Sequence, residues 1–405
     1  MKNKVVITGM GVVTPIGTGL NTFWKNLITG KNGVREIKSF NTDGFRTNKG
    51  GEVIDFDENK DLGKNYLTMP RASKFSITAI REALSQSKID VDYIKSKKVS
   101  VVVGTTMGEM QVIEDATEIY VKEGFDKIPN DLPKKYPCNV ITNNISTFFD
   151  LNSFNILIPS ACAAGNYAIG YGFDLIKTGK AEIVICGGVD PMSKIAFAGF
   201  NKLMACAPEY CSPFDADRKG MIVSEGAGFI ILESESFAKS RGAKILSEIP
   251  GYGVSNDAYK STIPHPEGKG GIIAVKKALF NSNIKESEID YICAHGTGTV
   301  ENDKVETLIS KQIFGSRANS IPISSLKSML GHTMGACAAI ETIASVMMIN
   351  EKIVAPTINY KNPDILCDLD YVPNVARKYD VKTILNNSYA FGGNNSSLII
   401  REYRE

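Results

Sequence analysis

The segment ILIPSACAAG, residues 156–165, carries the clearest structural signal in the chain. An apolar run that ends at Pro159 enters a turn of small residues, and a helical pattern begins at Gly165 and continues to Lys177. A short buried strand that leads directly into a helix is typical of an α/β fold. Cys162 lies in the turn, where the N–H groups of a helix N-terminus favour a thiolate and lower the thiol pKa. The segment alone leaves two interpretations open, a reactive nucleophile and a small buried core thiol.

The same alternation of strand and helix patterns extends over the whole chain. Before residue 190, strands are predicted at 4–7, 99–103, 155–158 and 183–186, and helices at 69–86 and 165–177. Beyond it, strands are predicted at 228–232, 243–252, 291–294, 321–324 and 397–401, and helices at 271–281, 301–313 and 335–350. We predict two layered halves, residues 1–250 and 251–405. A twofold repeat is plausible, although no line-by-line sequence identity relates the halves.

Composition narrows the class of protein. The chain has 405 residues, 43% hydrophobic and 22% charged, as in globular proteins that work in water. Lys and Arg number 46 against 44 Asp and Glu, so the net charge of +2 creates no global field for nucleic acid or an acidic membrane. No apolar run reaches about 18 residues, so no transmembrane helix is predicted.

The N-terminal stretch and the cysteines both indicate a cytoplasmic protein. Gly9, Gly11 and Pro15 interrupt the first apolar run, which favours a buried strand over a signal peptide. The Gly9-Met10-Gly11 sequence lacks the third glycine of a dinucleotide fingerprint, and we interpret these glycines as tight-turn formers. The eight cysteines form no CxxC pair and fit neither a zinc site nor a disulfide framework, which is typical of reduced core thiols.

Two of the three histidines follow predicted strands and lie beside glycines. His295 precedes Gly-Thr-Gly-Thr at 296–299, and His332 lies in the segment SSLKSMLGHTMGA at 324–336. His265, between two prolines, is typical of a surface turn. One histidine alone is more often structural than catalytic, but two at strand ends together with the Cys162 turn indicate a cleft. A Cys-His-His metal site would lack an obvious fourth ligand, so no metal is predicted.

The last informative segment is NSYAFGGNN, residues 387–395. A diglycine allows the backbone to approach a ligand closely, and an adjacent N–H group can contribute to an oxyanion hole. The alternative is an ordinary turn before the final strand.

With these segments, the chain resembles the β-ketoacyl-acyl carrier protein synthases of the thiolase superfamily, especially the elongating type II class. The resemblance runs from VVITGMGVVTPIG at 5–17, through FDADRKGMIVSEGAG at 214–228, to AFGGNN at 390–395. It implies a thiolase-like α/β fold of two pseudo-repeated halves in five layers, α-β-α-β-α. It also implies a dimer with the strand before the nucleophile near the interface.

The resemblance implies a role for each matching residue. Cys162 would accept the acyl group, and His295 and His332 would hold the malonyl thioester carbonyl and assist decarboxylation. Lys327 would support the histidines, paired with Glu306. Thr297 and Thr299 would contact the phosphopantetheine arm. Phe391 would act as a gate, and its backbone N–H and that of Cys162 would form the oxyanion hole. The implied reaction needs no metal or redox cofactor, and its substrates are carried on the phosphopantetheine of the acyl carrier protein.

Departures from the common motifs leave the pathway open. Gly298 and the pattern Asn302-Asp303…Glu306-Thr307 look more like ketosynthase α subunits of type II polyketide systems than fatty-acid synthases. A coenzyme A thiolase would need a second catalytic cysteine near Phe391, and a chain-length factor would lack Cys162. A purely structural α/β protein would have to match every motif by coincidence. The alternative that this chain is a ketosynthase subunit active only with a chain-length-factor partner stays open.

The implied partner is an acyl carrier protein, which is acidic, so a basic docking patch is expected. The candidate residues are Lys64, Arg71, Lys74, Lys127, Lys134 and Lys135. The alternative is that these charges lie on an ordinary solvated face.

Overall fold

A computed structural model describes residues 4–57, 62–63, 66, 68–95 and 99–405. We label the ten strands on the main path of its large sheet β1 to β10 in chain order. They are Val5–Thr14 (β1), Val99–Thr105 (β2), Ser153–Pro159 (β3), Ile183–Asp190 (β4), Gly226–Ser234 (β5), Ser247–Asn256 (β6), Tyr291–Cys293 (β7), Ile323–Ser324 (β8), Thr383–Tyr389 (β9) and Asn394–Arg401 (β10). Two-residue strands at 17–18, 35–36, 49–50, 353–354 and 377–378 form minor pairs.

The α-helices of the described residues are labelled in the same way. They are Leu20–Ile28 (α1), Arg71–Ser87 (α2), Val91–Lys95 (α3), Met110–Glu123 (α4), Val140–Phe149 (α5), Ala164–Lys177 (α6), Lys194–Lys202 (α7), Glu235–Ser240 (α8), Lys269–Ser282 (α9), Val300–Phe314 (α10), Lys327–Leu330 (α11) and Cys337–Glu351 (α12). Within the part of the chain that the structure describes, no helix is long and apolar enough to cross a membrane.

The two halves have the same strand order. The first five strands lie in the order β3-β2-β4-β5-β1, and the last five in the order β8-β7-β9-β10-β6. In each half the first three neighbours are parallel and the remaining pairs are antiparallel. The halves join where Val5, Val6 and Ile7 of β1 pair with the start of β6. The repeat that sequence identity did not reveal is therefore present in the topology, and its second unit begins at Ser247.

The helices complete five layers. Helix α2 packs on the outer face of the first half-sheet with α5, and α9 covers the outer face of the second. Helices α6 and α12 lie between the half-sheets and contact strands of both. Twelve of the fifteen residues of α12 are buried, which is expected of a helix with no solvent-facing side. A Cβ atom at Gly165 would lie 2.9 Å from the backbone nitrogen of Ala339, so glycine permits α6 to pack tightly against α12.

The interpretation of Gly9 and Gly11 as turn formers is wrong. Both lie inside β1, where α2 crosses so closely that added Cβ atoms would lie 2.1 Å and 1.9 Å from the carbonyl oxygens of Ala83 and Ala79. Only residues without a side chain fit under this helix, and a larger residue at either position would push α2 off the sheet. The two glycines are therefore packing residues of the first half.

Strand β9 was not predicted, because its sequence TILNNSY contains polar residues. Its asparagines are buried and find partners in neighbouring elements. Asn386 donates through Nδ2 to the carbonyl oxygen of Ala338, and Asn387 accepts a hydrogen bond from Ser397. These bonds allow polar side chains in a central strand, which hydrophobic periodicity does not reveal.

Candidate active site

Cys162 lies where β3 passes into the central helix α6. Residues 161–163 form a 3-10 turn, and α6 begins at Ala164. Ala161 has a positive φ of 48°, which is uncommon for a residue with a side chain and is found where surrounding contacts hold the backbone. Ser388 of β9 donates a hydrogen bond of 3.0 Å to the carbonyl oxygen of Cys162. Contacts from both halves therefore hold the turn, and the Cys162 side chain is 5% exposed.

The second half contains a matching turn before α12. Residues 334–336 form a 3-10 turn, Met334 has φ 48°, and α12 begins at Cys337. Gly335 occupies the place that Cys162 holds in the first half. The two central helices thus start in the same way, but only the first carries a thiol at the turn.

Hydrogen bonding assigns the tautomer of His332. The backbone N–H of Met334 donates to Nδ1 of His332 over 3.0 Å, so Nδ1 is an acceptor and Nε2 carries the hydrogen of the neutral ring. Burial, and then the positive charge of Lys327, hold the pKa of His332 well below its usual value. At neutral pH the ring is therefore an uncharged N–H donor.

His295 follows β7, and its backbone is anchored by a buried carboxylate. The N–H groups of His295 and Gly296 donate to the two oxygens of Glu306 over 2.8 Å and 2.7 Å. The ring centroid of His295 lies 5.5 Å from that of His332 at an angle of 85°. Burial, followed by the charges of Lys327 and His332, lowers the pKa of His295 well below its usual value. Both histidines are therefore neutral near pH 7.

The predicted pairing of Lys327 with Glu306 is wrong. The Nζ atom of Lys327 lies 2.5 Å from Oε1 of Glu341, and both side chains are buried. Glu306 is occupied by the two backbone N–H groups, and burial raises the pKa of its carboxyl to about 7. Glu341 was not singled out in the sequence because it lies in the middle of the apolar helix α12, fourteen residues after Lys327.

The predicted lowering of the Cys162 pKa is also wrong. Burial raises the pKa of the thiol to about 12, although the charge of Lys327 and the backbone N–H groups of Cys162 and Phe391 act in the opposite direction. Desolvation of the charged form exceeds the effect of the helix N-terminus because the site is enclosed. The unliganded protein therefore holds Cys162 as a neutral thiol.

One cavity joins the predicted catalytic and binding residues. It has a volume of about 430 Å³, and its lining includes Cys162, His295, His332, Thr297, Thr299 and Phe391. The hydroxyl oxygens of Thr297 and Thr299 lie 2.8 Å apart on its wall. Lys327 and Glu306 are not among the lining residues. Glu306 acts on the cavity through the backbone it binds, and Lys327 acts through its positive charge.

The diglycine loop holds Phe391 over the nucleophile. Gly392 and Gly393 have φ values of 81° and 74°, which favour glycine. The backbone N–H of Phe391 is close enough to Cys162 to act on its thiol. The ring of Phe391 lies 5.8 Å from that of Phe200. The loop can therefore supply both a hydrogen-bond donor from its backbone and an aromatic wall from Phe391.

Sequence analysis missed several polar residues of the cavity. Lys219 and Lys260 are exposed and line it, as do Asp257 and Asn395, which are joined by a hydrogen bond of 2.9 Å. No periodicity separates these lysines from others on the surface. Lys219 and Asn395 lie in the segments 214–228 and 387–395, but no feature of either segment marks them as cavity residues.

The predicted docking residues differ in exposure. Lys74 is only 9% exposed, which excludes it from an exposed patch, and Arg71 is paired with the buried Glu225. Lys127 and Lys134 are exposed, and Lys135 forms an ion pair of 2.9 Å with Asp131. Lys64 lies outside the described residues.

The described residues contain no candidate metal site. No group of three or more His, Cys, Asp or Glu side chains there is arranged to hold an ion. His265 lies apart from the other two histidines, and its Nδ1 accepts from the N–H of Glu267 in a local turn.

Comparison with known proteins agrees with this geometry. Residues 2–238 match the N-terminal domain of β-ketoacyl synthase, and residues 246–361 match its C-terminal domain. The 3-oxoacyl-[acyl-carrier-protein] synthase 2 of Synechocystis sp. is 38% identical over 100% of this chain and 99% of its own length. Among solved structures, the ishigamide ketosynthase/chain length factor has a TM-score of 0.96 at 37% identity, with 100% of both chains covered. A type II polyketide synthase acyl-carrier protein in complex with its ketosynthase has a TM-score of 0.92 at 31% identity, again with 100% of both chains covered. The chain therefore belongs to the β-ketoacyl synthase family.

Proposed function

We propose that this protein catalyses the decarboxylative condensation of an acyl group, carried on Cys162, with a malonyl unit carried on an acyl carrier protein. The observation that carries the proposal is the shared cavity, which brings one thiol and two neutral histidines together. This set suits covalent acyl transfer followed by stabilisation of an enolate.

In the first step, Cys162 takes the acyl group from its carrier. The sulfur attacks the thioester carbonyl, the carbon–sulfur bond to the carrier breaks, and the proton of the Cys162 thiol passes to the departing carrier thiolate. The backbone N–H groups of Cys162 and Phe391 stabilise the intermediate oxyanion. Because the resting thiol is neutral, the sulfur loses its proton in the course of the transfer.

In the second step, the malonyl unit loses carbon dioxide. The bond to the carboxylate carbon breaks, and its electron pair forms an enolate whose oxygen becomes negative. His295 and His332 donate hydrogen bonds to that oxygen, which requires rings that are uncharged and carry N–H groups toward the cavity. Their lowered pKa values meet this requirement at neutral pH.

In the third step, the enolate carbon attacks the acyl thioester on Cys162. The new carbon–carbon bond forms, the bond to Cys162 breaks, and the departing thiolate takes up a proton from solvent. The product is a β-ketoacyl carrier protein two carbons longer than the primer. The scheme requires no oxidant, reductant or metal ion, because the electron pair comes from decarboxylation.

The surrounding residues have supporting roles. Thr297 and Thr299 line the approach to the histidines and suit contacts with the phosphopantetheine arm. Lys327 and Glu306 are positioning residues, since one supplies buried positive charge and the other holds the His295 backbone. Phe391 lines the cavity beside Phe200, where its ring would act as the gate.

We also propose a cytoplasmic dimer that meets an acidic carrier protein. Its eight cysteines are free thiols, which suits a reducing compartment. Strand β3 lies at the outer edge of the sheet with most residues partly exposed, so a second subunit can pair there. Lys127, Lys134 and Lys135 are the docking candidates among the described residues, and Lys64 stays a prediction; their charges would steer encounter.

Intact-protein mass spectrometry tests the reaction. The purified chain is incubated with a panel of acyl carrier protein thioesters, and malonyl carrier protein is then added. A mass gain on Cys162, followed by its loss and the appearance of a β-ketoacyl carrier, supports the proposal. A folded protein that loads no primer and forms no product contradicts an autonomous ketosynthase.

A second candidate is a ketosynthase subunit that works only with a chain-length-factor partner. The likeness to the ishigamide ketosynthase/chain length factor and the polyketide-like pattern around Gly298 favour it. Native mass spectrometry of the chain alone and with a coexpressed partner subunit separates the two. Activity that appears only in the mixed dimer supports the second candidate, and full activity in the homodimer excludes it.

A further inference from the structure

Cys337 is the first residue of α12, and its sulfur contacts Nδ1 of the proposed catalytic residue His332. Its sulfur lies 3.2 Å from Nδ1 of His332, and the side chain is 2% exposed. The hydroxyl of Thr333 donates to the same sulfur over 3.3 Å. None of the roles proposed above uses this thiol.

The directions of these bonds follow from the donors available. Thr333 donates to the sulfur, so the thiol hydrogen is free to point toward His332. Nδ1 of His332 already accepts from the N–H of Met334 and therefore carries no hydrogen. Burial raises the pKa of Cys337 to about 12, so the group is a neutral S–H donor. The chain of donors thus runs from Thr333 through Cys337 to His332.

Cys337 does not act as a second nucleophile. It is not among the residues that line the cavity, whereas His332 and Cys162 are. The thiol therefore acts on the reaction only through the imidazole it contacts. The titratable groups around this imidazole are Lys327 of α11 with its partner Glu341 of α12, His295 after β7, Cys162 before α6, and Cys337 itself.

We propose that Cys337 is a positioning residue that, together with the Met334 N–H, occupies Nδ1 of His332 and so keeps Nε2–H directed into the cavity. Two donors at Nδ1 leave no free lone pair for a proton, and they resist rotation of the ring. His332 then remains an uncharged donor toward the enolate oxygen. The kinetic part of this inference rests on the proposed condensation, but the state of the ring does not depend on it.

Histidine nitrogen NMR tests the state of the ring without turnover. The chain has three histidines, so a sample labelled only at histidine gives three imidazoles, and His332→Asn assigns the one of interest. In Cys337→Ala, we expect the Nδ1 resonance of His332 to move toward that of a more weakly hydrogen-bonded nitrogen. Cys337→Ser, which keeps a donor, should retain the wild-type pattern. Cys186→Ala is the matched control, because Cys186 is buried in β4 away from the cavity.

Kinetics supply the second test. For Cys337→Ala we expect kcat for malonyl decarboxylation to fall about fivefold, with an unchanged KM and an acid limb shifted to higher pH. Cys337→Ser should restore both. If Cys337→Ala does not fold, Cys337→Val is used instead, because valine fills more of the space of the thiol and has no hydrogen-bond donor. A Cys337→Ala or Cys337→Val protein with the wild-type Nδ1 resonance and acid limb overturns the inference. Absence of all turnover in the wild type refutes the proposed condensation instead.

Discussion

The ammonium group of Lys327 lies 2.5 Å from Oε1 of Glu341, and the two side chains are 1% and 2% exposed. This ion pair joins α11 to the central helix α12. It also keeps a positive charge near the site that acts on the pKa values of Cys162, His295 and His332. The charge favours a thiolate at Cys162 and opposes protonation of the two histidines, so one buried lysine serves both halves of the reaction.

Glu341→Gln should destabilise the fold strongly. It removes the charge that compensates the buried ammonium of Lys327, and breaking a buried pair on one side costs about 3–5 kcal/mol. Equilibrium unfolding in urea measures the free energy of unfolding. Glu118→Gln, which breaks the exposed pair with Lys122, is the control and should leave the midpoint unchanged. Equal midpoints for the two variants would show that the buried pair has no special role.

Cys162→Ala should keep the fold and lose both acyl loading and condensation. The side chain is small and the replacement keeps the turn, while the nucleophile is absent. Circular dichroism checks the fold, and intact-protein mass spectrometry checks loading. Cys206→Ala, at another buried thiol, is the matched control and should load normally. Condensation by purified Cys162→Ala would refute the assignment of the nucleophile.

Cys162→Gln should separate decarboxylation from condensation. The variant cannot carry an acyl group, but His295 and His332 remain to stabilise the enolate. We expect release of carbon dioxide from malonyl carrier protein without a condensation product, and the added substitution His332→Ala should abolish that release. Unaltered condensation by Cys162→Gln would contradict this division of roles.

Alkylation of Cys162 should rise steadily with pH. Burial raises its thiol pKa to about 12, so the thiolate fraction below that value grows about tenfold per pH unit. The rate of modification by iodoacetamide, followed by mass spectrometry from pH 7 to 10, is expected to show no plateau. A plateau near pH 8 would mean that the site lowers the pKa of Cys162 after all.

Malonyl decarboxylation should persist in mildly acidic solution. The histidine pKa values lie well below the usual range, so both rings stay neutral as the pH falls through about 6.5, where an unperturbed histidine would be half protonated. The rate of malonyl decarboxylation by the Cys162→Gln variant, measured as a function of pH, tests this because that variant cannot be acylated. Loss of half the activity at pH 6.5 would indicate that at least one ring titrates normally. Thr297→Ala, which leaves both rings in place, should keep the same profile shape.

Much of the site could be predicted because its signals are local. The strand, the small-residue turn and the helix around Cys162 can be predicted from about twenty consecutive residues. His295 and His332 can likewise be singled out from the glycines next to them in the sequence. Strand β9 escaped prediction because Asn386 and Asn387 form hydrogen bonds with other elements of the fold, α12 and β10. The twofold repeat escaped because it is expressed in strand order and in the matching φ of Ala161 and Met334, not in residue identity.

The sequence by itself determined the alternation of strands and helices, the turn that carries Cys162 and the position of His295 after a strand. His332 was expected at a strand end as well, but it follows the short helix α11. Only the tertiary structure decided that Lys327 pairs with Glu341, that Cys337 contacts His332 and that burial raises the pKa of Cys162. The reason is physical. Backbone conformation depends largely on neighbouring residues, whereas desolvation and charge pairing depend on which distant segments enclose a group.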